Sequence, residues 1–388
     1  MKRFSLFFIL IILLFGSRFS FDIHLVSAEA TEPPILTDIL DEAIENLELE
    51  GLENYLSNTI FSDKGVKERL IEYIKGGKAD FTSIFAQIVE IFFKQVKDLF
   101  PIFAMVTAIA LLCGILSSLQ SGSLRKGMDS AVFMIAFVAA LIPILGVIGS
   151  CFSNAENCVF DMKRQMELLF PVLLTLLTAS GGSVSVAICK PSVAFLSTTM
   201  VGIISNVVFP ITLLFFCFSV ANRLSEDFKF NKFIALFKSL NKWIIGIAIS
   251  IFGLFFTVQG ITAVAYDGIA RRAAKYAIGN GVPIIGGFLS GGFDLAIAGS
   301  ILIKNSLGYL GILLMISSIF EPIMLLIATN LLLKLCSAIT SPFAESKISD
   351  FLAESADCLN YLSAGILFTA FLYFLCIVIL ISTTGAFL

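Results

Sequence analysis

Apolar and polar positions are distributed along this chain in two regimes. Phe4 to Phe15 is an apolar run behind Met1-Lys2-Arg3, and Val26-Ser27-Ala28 places small residues after it. That order reads as an export signal, and a run of about twelve residues is short for a bilayer core about 30 Å thick. Residues 1–28 are therefore expected to be a signal peptide cleaved after Ala28, with an uncleaved anchor as the alternative. Either way the next segment is exported. Within it Ile35, Leu36, Ile39, Leu40, Ala43, Ile44 and Leu47 recur at helical spacing. After Gly76-Gly77, the series Phe81, Ile84, Phe85, Ile88, Phe92, Val96 and Leu99 marks a second apolar face. Residues 29–98 read as short amphipathic helices, resting on the membrane surface or a partner, or closing on a small core of their own.

From Pro101 the apolar runs become long enough to cross a bilayer. Spans are expected over residues 101–119, 131–150, 193–221, 243–264, 309–333 and 359–382. Two further apolar segments, 168–188 and 282–303, are interrupted by the same tripeptide, Ser180-Gly181-Gly182 and Ser290-Gly291-Gly292. These six positions are expected to break their helices. Arg223, Lys229, Lys232, Lys238 and Lys242 read as a basic loop, and Glu345, Asp350, Glu354 and Asp357 as an acidic one.

Composition agrees with the pattern. Only 14% of residues are charged, 57% are apolar, and the mean hydropathy is +0.96, against about 25% charged in soluble domains. The fold class that follows is all-α, a polytopic integral membrane protein with a signal peptide and a short exported acidic helical segment. Residues 99–388 form its transmembrane domain, with roughly six to eight membrane segments. The acidity is local: residues 29–98 hold fifteen Asp or Glu against seven Lys or Arg, which argues against a nucleic-acid partner.

The transmembrane part contains a weak repeat at an offset of 112 residues, pairing 131–221 with 243–333. Pro171 matches Pro283, Pro210 matches Pro322, and each Ser-Gly-Gly is followed by a lysine, Lys190 or Lys304. Interrupted helices at matching positions of two halves point to a substrate pathway in transporters. If the broken segments span, the two units are inverted and basic residues divide eight and eight across the membrane. If they dip in and return, the units are parallel and the division is nine inside to seven outside. The positive-inside rule leans toward the second version.

Chemistry concentrates between Val258 and Ile312. Asp267, Arg271, Arg272, Lys275, Asp294, Lys304 and Asn305 lie there among eleven glycines. Charges at membrane depth are costly and face a bundle interior or a watery cavity, so these seven are candidates for a polar pathway or for partner docking. A solvated interfacial helix is the competing reading for Asp267 to Lys275. Tyr266-Asp267 with Gly291-Gly292-Phe293-Asp294 resembles the paired aspartates of presenilin-type proteases. Phe293 replaces a required glycine, however, and Arg271 one turn from Asp267 holds it ionised. The only histidine, His24, lies in the signal peptide, and no phosphate-binding loop or cysteine pair occurs. An enzyme is not expected, and neither is a metal or other cofactor.

Val258-Gln259-Gly260, Asp267-Gly268, Arg271, Lys275, Gly279-Asn280, Pro283, Gly286, Asp294, Lys304-Asn305, Gly308 and Gly311, with Ala179-Ser180-Gly181-Gly182, carry a resemblance. The chain resembles the stage III sporulation protein AE family over essentially its whole length, most specifically at 258–311. The resemblance implies a multi-pass protein of the mother-cell membrane around the forespore, its N-terminal segment on the exported side. It further implies membership of a secretion-like channel assembly. The implied partners are other membrane subunits, a separate cytoplasmic ATPase and a forespore-side protein. A self-contained secondary transporter and a pure scaffold remain the alternatives, and no catalytic residues carry over.

Overall fold

The computed structural model describes residues 51–53, 65–74, 81–119, 125–224, 230–281, 286–342 and 346–385. Side chains are described throughout these except at 81–86, 116–119, 125–133, 183–184, 196, 256–257, 259–296, 346 and 383–385. The expected signal peptide and the expected amphipathic stretch 35–47 lie outside the described residues. The helices are α1 (Val66–Ile74), α2 (Phe81–Leu119), α3 (Arg125–Ala179), α4 (Ser183–Ile203), α5 (Phe209–Leu224), α6 (Asn231–Gly281), α7 (Gly286–Thr340) and α8 (Ser346–Gly385). A π-helical turn, Ile204–Val208, joins α4 to α5. It falls immediately before Pro210, whose ring has no N–H to give and crowds the carbonyl four residues earlier; a widened turn absorbs that misfit.

Among the described residues six helices are long and apolar enough to cross a membrane: Gln87–Ile115, Met134–Ala179, Ser185–Leu224, Asn231–Phe255, Ile297–Thr340 and Lys347–Ser382. Several are much longer than the expected spans. The expected segments 131–150 and 168–188 share one helix as far as Ala179, about 80 Å from end to end at 1.5 Å per residue. The cause is a buried stripe that never lapses: Phe137, Ala140, Ile144, Ile148, Cys151, Ala155, Cys158, Met162, Met166, Leu169 and Leu173. The charges between the two apolar runs lie on the opposite face. There they pair within the helix, Lys163 with Glu167 at 3.6 Å and Arg164 with Asp161 at 3.9 Å. Likewise 282–303 and 309–333 merge, because α7 runs from Gly286 without interruption.

The two expected loops also need correction. Lys232, Lys238 and Lys242 lie on α6, and Asp350, Glu354 and Asp357 lie on α8. Each helix keeps an apolar stripe beneath its charges, Ile234 and Ile245 in α6, Ile348, Phe351 and Leu352 in α8.

α7 and α8 form the central antiparallel hairpin. Ser337 Oγ donates to the Ser349 carbonyl at 2.9 Å, Asn330 Nδ2 to the Ala356 carbonyl at 2.6 Å, and Lys304 Nζ to the Ile381 carbonyl at 3.0 Å. α2 and α3 pack on one side of this hairpin, through Thr107 to Cys336 (3.0 Å), Cys151 to Thr329 (3.7 Å) and Gln165 to Ser318 (2.6 Å). α5 and α6 pack on the other, where Phe252 meets Phe368 and the Cys358 thiol reaches the Thr212 carbonyl. α1 rests on α7 through an edge-to-face contact of Tyr73 with Tyr309.

Among the described residues α8 exposes no large apolar side chain, whereas α2, α3, α6 and α7 expose many. Ile135 is 72% exposed and Leu254 70%. Left in water such surface would be costly at about 25 cal/mol per Å²; against lipid tails it costs nothing. α8 is the core of the bundle and the others are its lipid-facing wall.

Candidate functional site

The Ser180-Gly181-Gly182 tripeptide ends α3. Gly181 has φ 84°, its N–H bonds the Thr178 carbonyl and the Gly182 N–H bonds the Leu177 carbonyl, both at 2.9 Å. This pair of bonds is the Schellman termination, and it needs a residue that tolerates the left-handed region. α4 then starts at Ser183 and packs back along α3. At Ser290-Gly291-Gly292 the expectation does not hold, since the tripeptide lies inside the second turn of α7. In that half the helices part between Gly281 and Gly286.

The expected polar residues are distributed over two helices. Asp267, Arg271, Arg272 and Lys275 lie on the distal part of α6 and Asp294 near the start of α7; their side chains are outside the described set. Lys304 is fully buried. Its ammonium spans the gap between α7 and α8 to the Ile381 carbonyl, in the penultimate turn of α8. A cation at a helix C-terminus also complements the dipole. Gly308, one turn on, allows that approach, because a Cβ there would meet Ile381 and Ile377. Asn305 turns its Oδ1 into a buried position with no hydrogen-bond partner among the described residues.

A polar seam that the sequence reading dispersed into two loops is assembled where α5, α6 and α8 meet. Asp350, Glu354, Asp357 and Tyr361 follow one another at helical spacing along one side of α8. Arg223 of α5 forks across two of them, Nη2 to Glu354 Oε1 at 2.9 Å and Nη1 to Asp350 Oδ2 at 3.3 Å. Ser219, one turn before Arg223, donates to the second oxygen of Glu354. Lys238 of α6 bonds Asp357 Oδ2 at 2.7 Å and stands 4.9 Å from the centre of the Phe215 ring. Tyr361 closes the row by donating to the Lys238 carbonyl at 3.2 Å. Deeper in the bundle Asn241 donates to Thr212 at 2.8 Å.

Shielding is uneven along this seam. The Arg223 and Glu354 side chains are 14% and 18% exposed, while Asp350 is 58% and Asp357 44%. The Arg223–Glu354 pair is thus the one whose separation is expensive, because removing one member leaves the other shielded and unpaired. Three carboxylates face two cations, and every one of the five is engaged. Such a seam locks three helices together with a fixed register. Its charges are paired with one another, with the Asp350 and Asp357 carboxylates reaching the surface at its edge.

Among the described residues no cluster of three or more His, Cys, Asp or Glu is arranged to hold a metal. All eight cysteines are free thiols, seven of them buried. Only the complementary charge of the stretches 223–242 and 350–357, and the seven-residue spacing from Asp350 to Asp357, hinted at the seam.

Comparison with known proteins follows the same outline. The family model described as stage III sporulation protein AE matches residues 66–384. Stage III sporulation protein AE of Bacillus subtilis (strain 168) is 25% identical over 390 residues, covering 98% of each chain. No solved structure matches.

Proposed function

The chain belongs to the stage III sporulation protein AE family, and from that membership we propose that it is the membrane platform of a secretion-like sporulation assembly linking mother cell and forespore. In this reading it sits in the mother-cell membrane around the forespore with its N-terminal segment on the exported side. It works with other membrane subunits, a separate cytoplasmic ATPase and a forespore-side partner. The observation that supports a platform is the closed seam: Arg223 and Lys238 are neutralised inside the bundle by Asp350, Glu354 and Asp357. The described helices therefore form a locked body wrapped around α8, with an apolar outer wall available to lipid and to other subunits.

A second reading, in which the chain itself lines the conduit, rests on Asp267, Arg271, Arg272, Lys275 and Asp294. It rests also on the buried polar end of Asn305 beside them in sequence. The two are separated by changing Asp294→Asn together with Arg271→Gln in sporulating cells and scoring both forespore development and recovery of the assembly. A platform predicts that development fails only when co-purification of the other subunits fails. A conduit predicts loss of development with the assembly intact. Purified protein in liposomes supplies the third arm, since solute flux without any partner would replace both readings with a self-contained transporter.

A further inference from the structure

The outer face of α6 carries a groove of about 490 Å³, with Lys242 and Trp243 at one end and Ser250 and Ile251 at the other. Three observations say what kind of molecule it takes. Lys238 is already engaged by Asp357, but Lys242, one turn further on and exposed, makes no ion pair among the described residues. The floor of the groove faces away from the protein, since a Cβ built on Gly246 meets nothing within 4 Å. The hydroxyl at the far end is already satisfied, Ser250 Oγ donating to its own helix at the Gly246 carbonyl at 2.9 Å.

A cation with no carboxylate partner among the described residues therefore stands at one end of an apolar channel. The channel is flanked by Ile247, 49% exposed, Ile251, 60%, and Leu254, 70%. Trp243, 67% exposed, marks the end where membrane meets water, the level at which tryptophan concentrates. A partner helix would have to bring both an apolar wall and an acidic side chain placed for Lys242. A soluble anion would satisfy Lys242 but leave the channel bare. An amphiphile with a phosphate at one end satisfies both.

We propose that this groove holds an anionic phospholipid of the surrounding bilayer. Its phosphate is held by Lys242 with the Ser239 hydroxyl on the same face, and one acyl chain lies over Gly246 toward Ser250. The full-length protein, purified in mild detergent, is titrated with phosphatidylglycerol or phosphatidylcholine and bound lipid is counted by native mass spectrometry. Wild type is expected to retain phosphatidylglycerol preferentially. Lys242→Gln should lower that retention about fivefold, the effect of one basic residue at an anionic surface, without changing phosphatidylcholine. Gly246→Leu should lower retention of both lipids, and an unchanged melting temperature shows that the fold is kept. Equal retention of the two lipids by wild type overturns the proposal, as does a Lys242→Gln variant that binds like wild type. If Gly246→Leu changes the number of protein copies per particle and leaves lipid counts alone, the face is a contact between copies and the proposal fails.

Discussion

The two stretches that the sequence pairs at an offset of 112 residues set three corresponding motifs in different surroundings. Ser-Gly-Gly ends a helix at 180–182 and is absorbed into one at 290–292. The lysine that follows is exposed at Lys190 and fully buried at Lys304. Pro210 sits behind a π turn, whereas Pro322 is carried inside the continuous α7. The difference lies in what precedes each motif. Fifty-five residues of helix run into the first tripeptide, so its carbonyls need a cap and Gly181 supplies one. The second stands only one turn after its helix begins, where there is no C-terminus to close. A glycine pair permits a left-handed turn; it does not demand one.

The lysines give the strongest test of that contrast. Lys304→Ala removes a buried side chain and its bond to the Ile381 carbonyl, and should cost about 3 kcal/mol. Lys190→Ala should stay within about 0.5 kcal/mol, as exposed substitutions do; thermal unfolding in detergent reads both. Gly181→Val comes next, with an expected loss of about 2 kcal/mol because a β-branched residue is strained at positive φ. Gly181→Asn should recover most of that loss, since asparagine tolerates the left-handed region. Gly291→Ala should have the opposite sign, a gain of up to about 1 kcal/mol from helix propensity. A loss there comparable to that of Gly181→Val would mean that the second tripeptide also turns the chain. The smallest effect is expected at Ser180→Ala, about 0.5–1 kcal/mol for its hydrogen bond to the Leu177 carbonyl.

The all-helical membrane architecture was legible because it depends on composition and on run length, which no partner alters. The break at Gly181 was legible as well. Helix length was not: the charges from Glu156 to Glu167 look like a boundary until the buried stripe on the other side of α3 is followed through them. The seam was hidden for a different reason, since Arg223 and Glu354 are 131 residues apart and each looks like an ordinary polar flank of its own span. Lys304 stood out in the sequence as a charge among apolar residues, but its partner is a backbone carbonyl on α8, which no side-chain pattern marks. Asp267 to Lys275 and Asp294 keep the standing the sequence assigned them, residues whose chemistry awaits the Asp294→Asn experiment.

The central position of α8 also bears on how the protein is made. Ribosomes deliver α3 through α7 before α8, the helix against which all of them pack. Until Asp350, Glu354 and Asp357 emerge, Arg223 and Lys238 enter the bilayer without counter-charges. Buried faces such as Phe137, Phe215 and Leu326 meanwhile have only lipid or the insertion machinery to lean on. Final closure of the bundle consequently waits for α8, the last helix to be made.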